Sequence, residues 1–126
     1  MDINEISSVI INAAITVHKE LGPGLLESVY QPCMILELQN RKLKVESELP
    51  VPVIYRGIKV SENGFRLDLL VEDSVVVELK SVEKIQQVHK KQLLTYLRLT
   101  KKPLGLLINF NEVLLVDGIT RVAHGV

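Results

Sequence analysis

The sequence predicts an α/β fold in which a mixed β-sheet is flanked by helices. The prediction follows from the order of the patterns: two helical stretches, three strand-like segments, a third helical stretch and a nearly continuous apolar run. Short loops join the first three strands into an antiparallel meander, and a helix before the fourth allows a right-handed crossover to a parallel strand. With 126 residues, 47% of them hydrophobic, we expect a single domain over residues 1–126.

Two helices are predicted at the start of the chain. Over residues 3–21, apolar side chains recur every three or four positions, and Gly22-Pro23-Gly24 then ends the helix because glycine and proline disfavour its continuation. The second helix is predicted over residues 25–40. Pro32 lies in its first two turns, so this helix either bends or begins late.

Three strands are predicted next, over residues 49–55, 65–71 and 75–80. The first contains Pro50 and Pro52, which remove two backbone donors from the same side, so it should lie at an edge of the sheet. A helix is then predicted over residues 82–99, followed by a strand over 104–110 that is buried on both faces. Two short strands, 113–116 and 119–123, should form a C-terminal hairpin around Asp117-Gly118.

A pair of acids stands out in the meander. If residues 72–74 form the turn, Val71 pairs with Val75, and the ladder then places Asp68 opposite Glu78 and Arg66 opposite Lys80. These even-numbered residues share one face. The odd-numbered set is entirely apolar and should face the main core: Leu67, Leu69, Val71, Val75, Val77 and Leu79.

Two opposed carboxylates repel each other and are costly to desolvate, so something must compensate them. A divalent cation does so naturally, since hard cations take carboxylate oxygens as ligands. Lys80, on the same face, could be a salt-bridge partner or could stabilise an oxyanion. A purely structural ion cluster remains the alternative.

Helix residues could join this site. His89, Gln92 and Tyr96 share one helix face; Gln92 could bind a substrate or a metal-bound water, or be an ordinary surface glutamine, and His89 could be a capping residue. Glu27 and Tyr30 lie one turn apart on the second helix. From the residues alone, Glu27 is an N-terminal acid that favours the helix dipole, and Tyr30 is a tyrosine at the core edge.

Several segments resemble a known family. Gly24-Leu25-Leu26-Glu27-Ser28-Val29-Tyr30 is similar to the signature of the GxxExxY proteins, and His18–Gly24 and Leu106–Phe110 extend the likeness. Asp68, Glu78-Leu79-Lys80 and Gln92–Tyr96 resemble, in that order, the metal-site pattern of the PD-(D/E)XK nuclease superfamily, in which GxxExxY proteins are usually placed. Here Leu67-Asp68 replaces the Pro-Asp dipeptide, which leaves the ligand intact.

The resemblance implies a restriction-endonuclease-like fold and a role for each site residue. Asp68 and Glu78 would ligate Mg²⁺ or Mn²⁺, with the Leu79 backbone carbonyl as a further ligand, and Lys80 would activate the attacking water. Gln92 and Glu27 would complete the catalytic set, Glu27 by holding a metal-bound water. The candidates for substrate contact are Tyr30, His89 and Tyr96.

The function expected from this resemblance is metal-dependent hydrolysis of phosphodiester bonds in DNA or RNA. The stretch from Lys80 to Lys102 carries seven cations and one acid, which fits either a phosphate-binding surface or a solvated helix face. A binding module that does not cut, and an accessory protein with a structural acid pair, remain alternatives. The small size favours a homodimer. The acidic N-terminus, the lone Cys33 and the absence of a long apolar run predict a cytoplasmic protein without a membrane partner.

Overall fold

A computed structural model describes residues 1–125 and contains one five-stranded sheet with helices on both faces. The strands lie side by side in chain order, β1 to β5. All neighbours are antiparallel except β3 and β4, which are parallel across α3. This confirms the predicted mixed sheet. The elements are α1 (Ile3–Leu21), α2 (Glu27–Asn40), β1 (Val45–Tyr55), β2 (Ile58–Val71), β3 (Val75–Lys80), α3 (Gln87–Thr100), β4 (Leu104–Asn109), a 3-10 turn (Leu115–Gly118) and β5 (Ile119–Ala123).

Helices α1 and α2 cover one face of the sheet. Asp2 and Glu5 form a capping box that fixes the start of α1, and Gly22 adopts φ 75° where that helix ends. The apolar face of α1 and three residues of α2 (Tyr30, Met34, Leu38) pack on the sheet and form the main core. Helix α2 begins at Glu27, close to the predicted start, and Pro32 lies inside it, so the helix does not begin late enough to exclude this proline.

Helix α3 covers the other face, where Leu93 and Leu97 pack on Leu70 and Val76 in a second, smaller core. Gly105 in β4 permits this contact, because a Cβ there would lie 2.8 Å from the Leu93 side chain. The predicted start of α3 at residue 82 is wrong: the helix begins at Gln87, since residues 81–86 are held as a loop against the end of β4.

The edge position predicted for β1 is confirmed, but β1 and β2 are much longer than expected and form one extended hairpin. The predicted C-terminal hairpin has different strands. Residues 113–116 form no strand; β5 instead pairs antiparallel with β4, whose second edge would otherwise lack hydrogen-bond partners. The sheet therefore has β1 and β5 as its two edges.

Within residues 1–125, no helix has both the length and the apolar character that crossing a bilayer requires.

Candidate active site at the separation of β2 and β3

The acids predicted from the sequence lie where β2 and β3 move apart. The two strands pair as expected at Val71–Val75 and Leu70–Val76, but their ladder ends at Leu69–Val77. The predicted pairing of Arg66 with Lys80 is therefore wrong: Arg66 pairs with Pro50 in β1, and Lys80 pairs with Asn109 in β4. The separation begins at Asp68.

Side chains take over the hydrogen bonds that the ladder loses. The Asp68 N–H donates to Glu78 Oε2 at 2.9 Å, and the Leu79 N–H donates to Asp68 Oδ2 at 2.9 Å. The Asp68 carbonyl accepts a bond from Gln31 Nε2 at 3.1 Å. Each carboxylate thus bridges to the opposite strand through one oxygen and has its second oxygen available for other partners.

The side chains of β2 alternate between the two faces of the sheet, and this alternation reverses at Asp68. Leu69 and Val71 lie in the main core, but Leu67 lies in the second core with Leu70, so the prediction that Leu67 faces the main core is wrong. Opposite Asp68, Glu48 of β1 has a φ of 49°, which is unusual for a non-glycine residue in a strand. The broken ladder and this irregular residue together explain the reversal.

Burial and mutual repulsion make the acid pair hard to ionise. Burial raises the pKa of Glu78 to about 8, and the negative charge of Asp68 adds to the effect. Burial also raises the pKa of Asp68, and the hydrogen bond from the Leu79 N–H lowers it by a smaller amount. The positive charge of Lys80 lowers the pKa of both acids, but it does not cancel the desolvation. Negative charge at this site is therefore only partly compensated by the protein.

Helix α2 forms one wall of a cleft beside Asp68. Its residues Glu27 and Gln31 lie one turn apart and, with Ser28, line a cleft of about 140 Å³ that Asp68 and Leu79 also line. The structure thus places Glu27 at the same cleft as Asp68. Because Gln31 holds the Asp68 carbonyl, it fixes the distance between α2 and β2.

Helix α3 brings Tyr96 to the site. The Tyr96 ring stacks on Phe65 with centroids 4.2 Å apart. Burial raises the pKa of Tyr96, and the negative charges of Glu78 and Asp68 raise it further. The side chain of Gln92, one turn earlier, is exposed and makes no hydrogen bond to another residue of 1–125.

Two residues of the site were missed by the sequence reasoning. Glu48 lines the same cleft, and its negative charge raises the pKa of both Asp68 and Glu78. The Glu48 carboxylate lies 3.9 Å from Arg66 Nη1. Gln31 was missed as well. Its position four residues after Glu27 was an available signal, but Glu48 required the β1–β2 register.

A match to a family model extends over residues 4–122 and describes the PD-(D/E)XK nuclease superfamily. The chain belongs to this superfamily. No curated protein and no solved structure matched the chain. The finer assignment to the GxxExxY proteins stays a prediction.

Nucleases of the PD-(D/E)XK superfamily typically depend on a divalent metal, and the site fits such an ion in part. Among residues 1–125, no three acidic, imidazole or thiol side chains converge as a complete metal cage. Mg²⁺ does not need one, because it is commonly held by one or two carboxylates and keeps several waters. Asp68, Glu78 and the Leu79 carbonyl are the donors that would suit it.

Asn109, at the end of β4, positions the loop that follows the Glu-x-Lys segment of this superfamily member. The side chain is fully buried; Oδ1 accepts bonds from the Val82 and Asn111 N–H groups, and Nδ2 donates to the Val82 carbonyl. Beside it, the Phe110 N–H donates to the Lys80 carbonyl at 2.9 Å. These bonds fix the backbone on the carboxyl side of Lys80.

We predict that Asn109→Leu destabilises the protein by about 2–4 kcal/mol, because an isosteric apolar side chain leaves the Val82 N–H without a partner and removes one of the two side-chain bonds to the Val82 carbonyl. Urea denaturation followed by circular dichroism would measure the loss. Asn40→Leu is the control, since Asn40 is exposed at the end of α2. Equal stability of the two variants would contradict this role for Asn109.

Two of the substrate-contact candidates have structural roles in this superfamily member. Tyr30 is fully buried; its hydroxyl donates to the Gly22 carbonyl and accepts from the Leu25 N–H, and its ring stacks on Phe110. The prediction that Tyr30 touches substrate is therefore wrong. His89 Nδ1 accepts a bond from the Gln86 N–H and caps α3, as its alternative interpretation expected. Tyr96 stays a candidate.

Proposed function

We propose that this chain is a metal-dependent nuclease that hydrolyses phosphodiester bonds of DNA or RNA with Mg²⁺ or Mn²⁺. The observation that supports this best is the acid pair beside one lysine: Asp68 and Glu78 are joined by hydrogen bonds across separated strands, and the protein compensates their charge only in part. A buried acid with a raised pKa, paired with a second acid that lines a cleft, is typical of functional sites.

Each residue would have a distinct task. Asp68, Glu78 and the Leu79 carbonyl would hold the cation, which when bound lowers the pKa of a water and offsets charge on the phosphate. Lys80 would orient that water and stabilise the developing oxyanion. Glu27 and Gln92 would hold solvent at the two sides of the site. Gln31 keeps Glu27 in register with Asp68 through its bond to the Asp68 carbonyl.

The basic stretch after β3 would contact the nucleic-acid backbone. Lys84, Lys91, Arg98 and Lys101 are exposed. Lys102 lies 3.1 Å from Asp73, so it is already paired. Because each phosphate contact releases counterions, binding through these residues should weaken as salt is raised.

Activity can be tested by incubating the purified protein with single- and double-stranded DNA and RNA in the presence of Mg²⁺, Mn²⁺ or a chelator. We expect cleavage that requires metal and falls at least about 100-fold in Asp68→Asn, because the amide keeps the bond from the Leu79 N–H but loses the ligand charge. The matched control is Asp73→Asn, an exposed aspartate in the turn between the same strands. Equal cleavage by Asp68→Asn and the wild type would rule out this mechanism.

A binding module of the same fold is the second candidate. It is favoured by the bonds that Asp68 and Glu78 already accept from backbone N–H groups, which give the acids a structural role, and by the formal net charge of zero. This alternative predicts salt-sensitive nucleic-acid binding with no turnover in any metal, and no change in affinity when Mg²⁺ is added.

A further inference from the structure

The outer part of the β1–β2 hairpin projects from the sheet with no third strand beside it. Strand β3 pairs with β2 only from Leu69 onward, so residues 51–65, here called the arm, have no third strand beside them. At its base the arm is fixed by the stack of Phe65 on Tyr96. Gly64 shapes it, because a Cβ at Gly64 would collide with the Val53 side chain at a register shift. An isolated two-stranded hairpin is only marginally stable in water.

The end of the arm is apolar. Four side chains, here called the tip, are each between 53% and 66% exposed: Ile54, Tyr55, Ile58 and Val60. Such a group on a projecting element is typical of an interaction site rather than of a solvated loop. The register shifts along the arm also discourage simple edge-to-edge pairing, so contact through the tip is the better solution.

A second apolar surface lies between α1 and the segment before β5. It is a groove of about 450 Å³, lined by Ile15 and Lys19 of α1, by Gly22 and Pro23, and by Val113–Val116. Val113 is 84% exposed and Leu114 is 61% exposed. The groove is large enough for the side chain of an isoleucine or a tyrosine.

The arm and the groove lie at the same end of the sheet. Strand β2 runs antiparallel to β3, so the arm extends past the carboxyl end of β3, where Lys80 lies. The groove segment follows the carboxyl end of β4, which is parallel to β3. The two surfaces therefore flank the same end, with the acid site between them.

We propose that the tip of one copy docks in the groove of a second copy, and that the reciprocal contact closes a two-fold dimer. When the four tip side chains are buried, each loses about 100 Å² of solvent-accessible surface. Two arms and the surfaces they cover then reach the roughly 1,200–2,000 Å² of a stable interface. A chain with zero formal net charge also meets no long-range repulsion from its own copy.

Charge disfavours nucleic acid as the occupant of the tip. The arm carries two cations, Arg56 and Lys59, and Lys59 Nζ lies 3.5 Å from the Glu62 carboxylate. Arg56 lies 5.7 Å from the centre of the Tyr55 ring. One uncompensated cation supplies little of the phosphate contact that binding to a nucleic-acid backbone requires.

The proposal is tested by sedimentation equilibrium of the full chain at micromolar concentrations. We expect a dimer for the wild type and monomers for Ile58→Asp at the tip and for Leu114→Asp in the groove. An equimolar mixture of the two variants should form a dimer weaker than the wild type, because the intact tip of one fits the intact groove of the other. Circular dichroism checks that each variant is folded.

Two controls match the variants in exposure: Val88→Asp on α3 (65% exposed, against 66% for Ile58) and Leu36→Asp on α2 (57%, against 61% for Leu114). Both should remain dimers. A monomeric wild type would overturn the proposal, and so would a dimer that survives Leu114→Asp. Nucleic-acid binding lost in Ile58→Asp, with the oligomeric state unchanged, would assign the tip to nucleic acid instead. None of these outcomes depends on nuclease activity.

Discussion

In metal-free buffer, Glu78→Gln should stabilise the protein at pH 8 and have little effect at pH 5. The folded-state pKa of Glu78, about 8, lies above the ordinary value of 4.5, so the folded protein binds a proton that the unfolded chain releases. That proton contributes stability in full below about pH 4.5, and the contribution is lost as pH rises through about 8. The wild type should therefore lose about 4 kcal/mol over this window. The amide carries no charge and can still accept the bond from the Asp68 N–H, so the variant should lose little.

Urea denaturation at several pH values, with a chelator present, measures this difference. Mg²⁺ should raise the melting temperature of the wild type at pH 8 and should not do so for Glu78→Gln, because binding to the folded state alone shifts the unfolding equilibrium. Glu20→Gln, at an exposed glutamate of α1, serves as the control and should follow the wild type. A wild-type stability that does not change between pH 5 and pH 8 would show that Glu78 titrates normally.

Lys80→Met should lower turnover by about 100- to 10,000-fold and leave Mg²⁺ binding intact, if the proposed nuclease activity is present. Methionine keeps most of the length of the half-buried aliphatic part of the Lys80 side chain and removes the ammonium charge. Removal of the Lys80 charge takes away a cation that repels Mg²⁺, but it also raises the pKa of Asp68 and Glu78. Metal affinity should therefore not fall when it is measured well above pH 8, where proton competition is small. Calorimetry for Mg²⁺ and single-turnover cleavage separate the two effects.

The control for Lys80→Met is Lys84→Met, an exposed lysine four residues later. A residue that contacts only the nucleic-acid backbone should change KM and its salt dependence, and leave kcat unchanged. Cleavage by Lys80→Met at the wild-type rate would mean that the lysine has only a structural part. Loss of Mg²⁺ binding together with turnover would mean that it organises the acids rather than the reaction.

Much of the architecture could be predicted from local patterns. The helical spacing of α1, the edge position of β1 from its prolines and the register of the 72–74 turn are all confirmed. Each depends on residues close together in the chain. The prediction of a C-terminal hairpin is wrong because residues 119–123 pair with β4 instead of with residues 113–116. The open edge of β4 offers them a longer partner strand.

The candidate site, too, could be predicted only where it depends on residues close together in the chain. Asp68 and Glu78 lie on strands joined by a three-residue turn, so the sequence alone brought them together, with Lys80 two residues further on. The separation of β2 from β3 could not be read from the sequence, because the residues that meet there, Gln31 of α2 and the irregular Glu48 of β1, are distant from Asp68 in the chain. The same holds for the burial of Tyr30 against Phe110.

By itself, the sequence determined a mixed α/β sheet and an acid pair with a lysine on adjacent strands, since alternation and turn length act over a few residues. Only the tertiary structure decided how the site is enclosed and charged. Glu27 and Glu48 line the same cleft as Asp68, and the charges of Asp68 and Glu78 act on Tyr96, so three separate elements contribute to the site. The raised pKa of Glu78 arises from desolvation, which exists only once those elements are packed together.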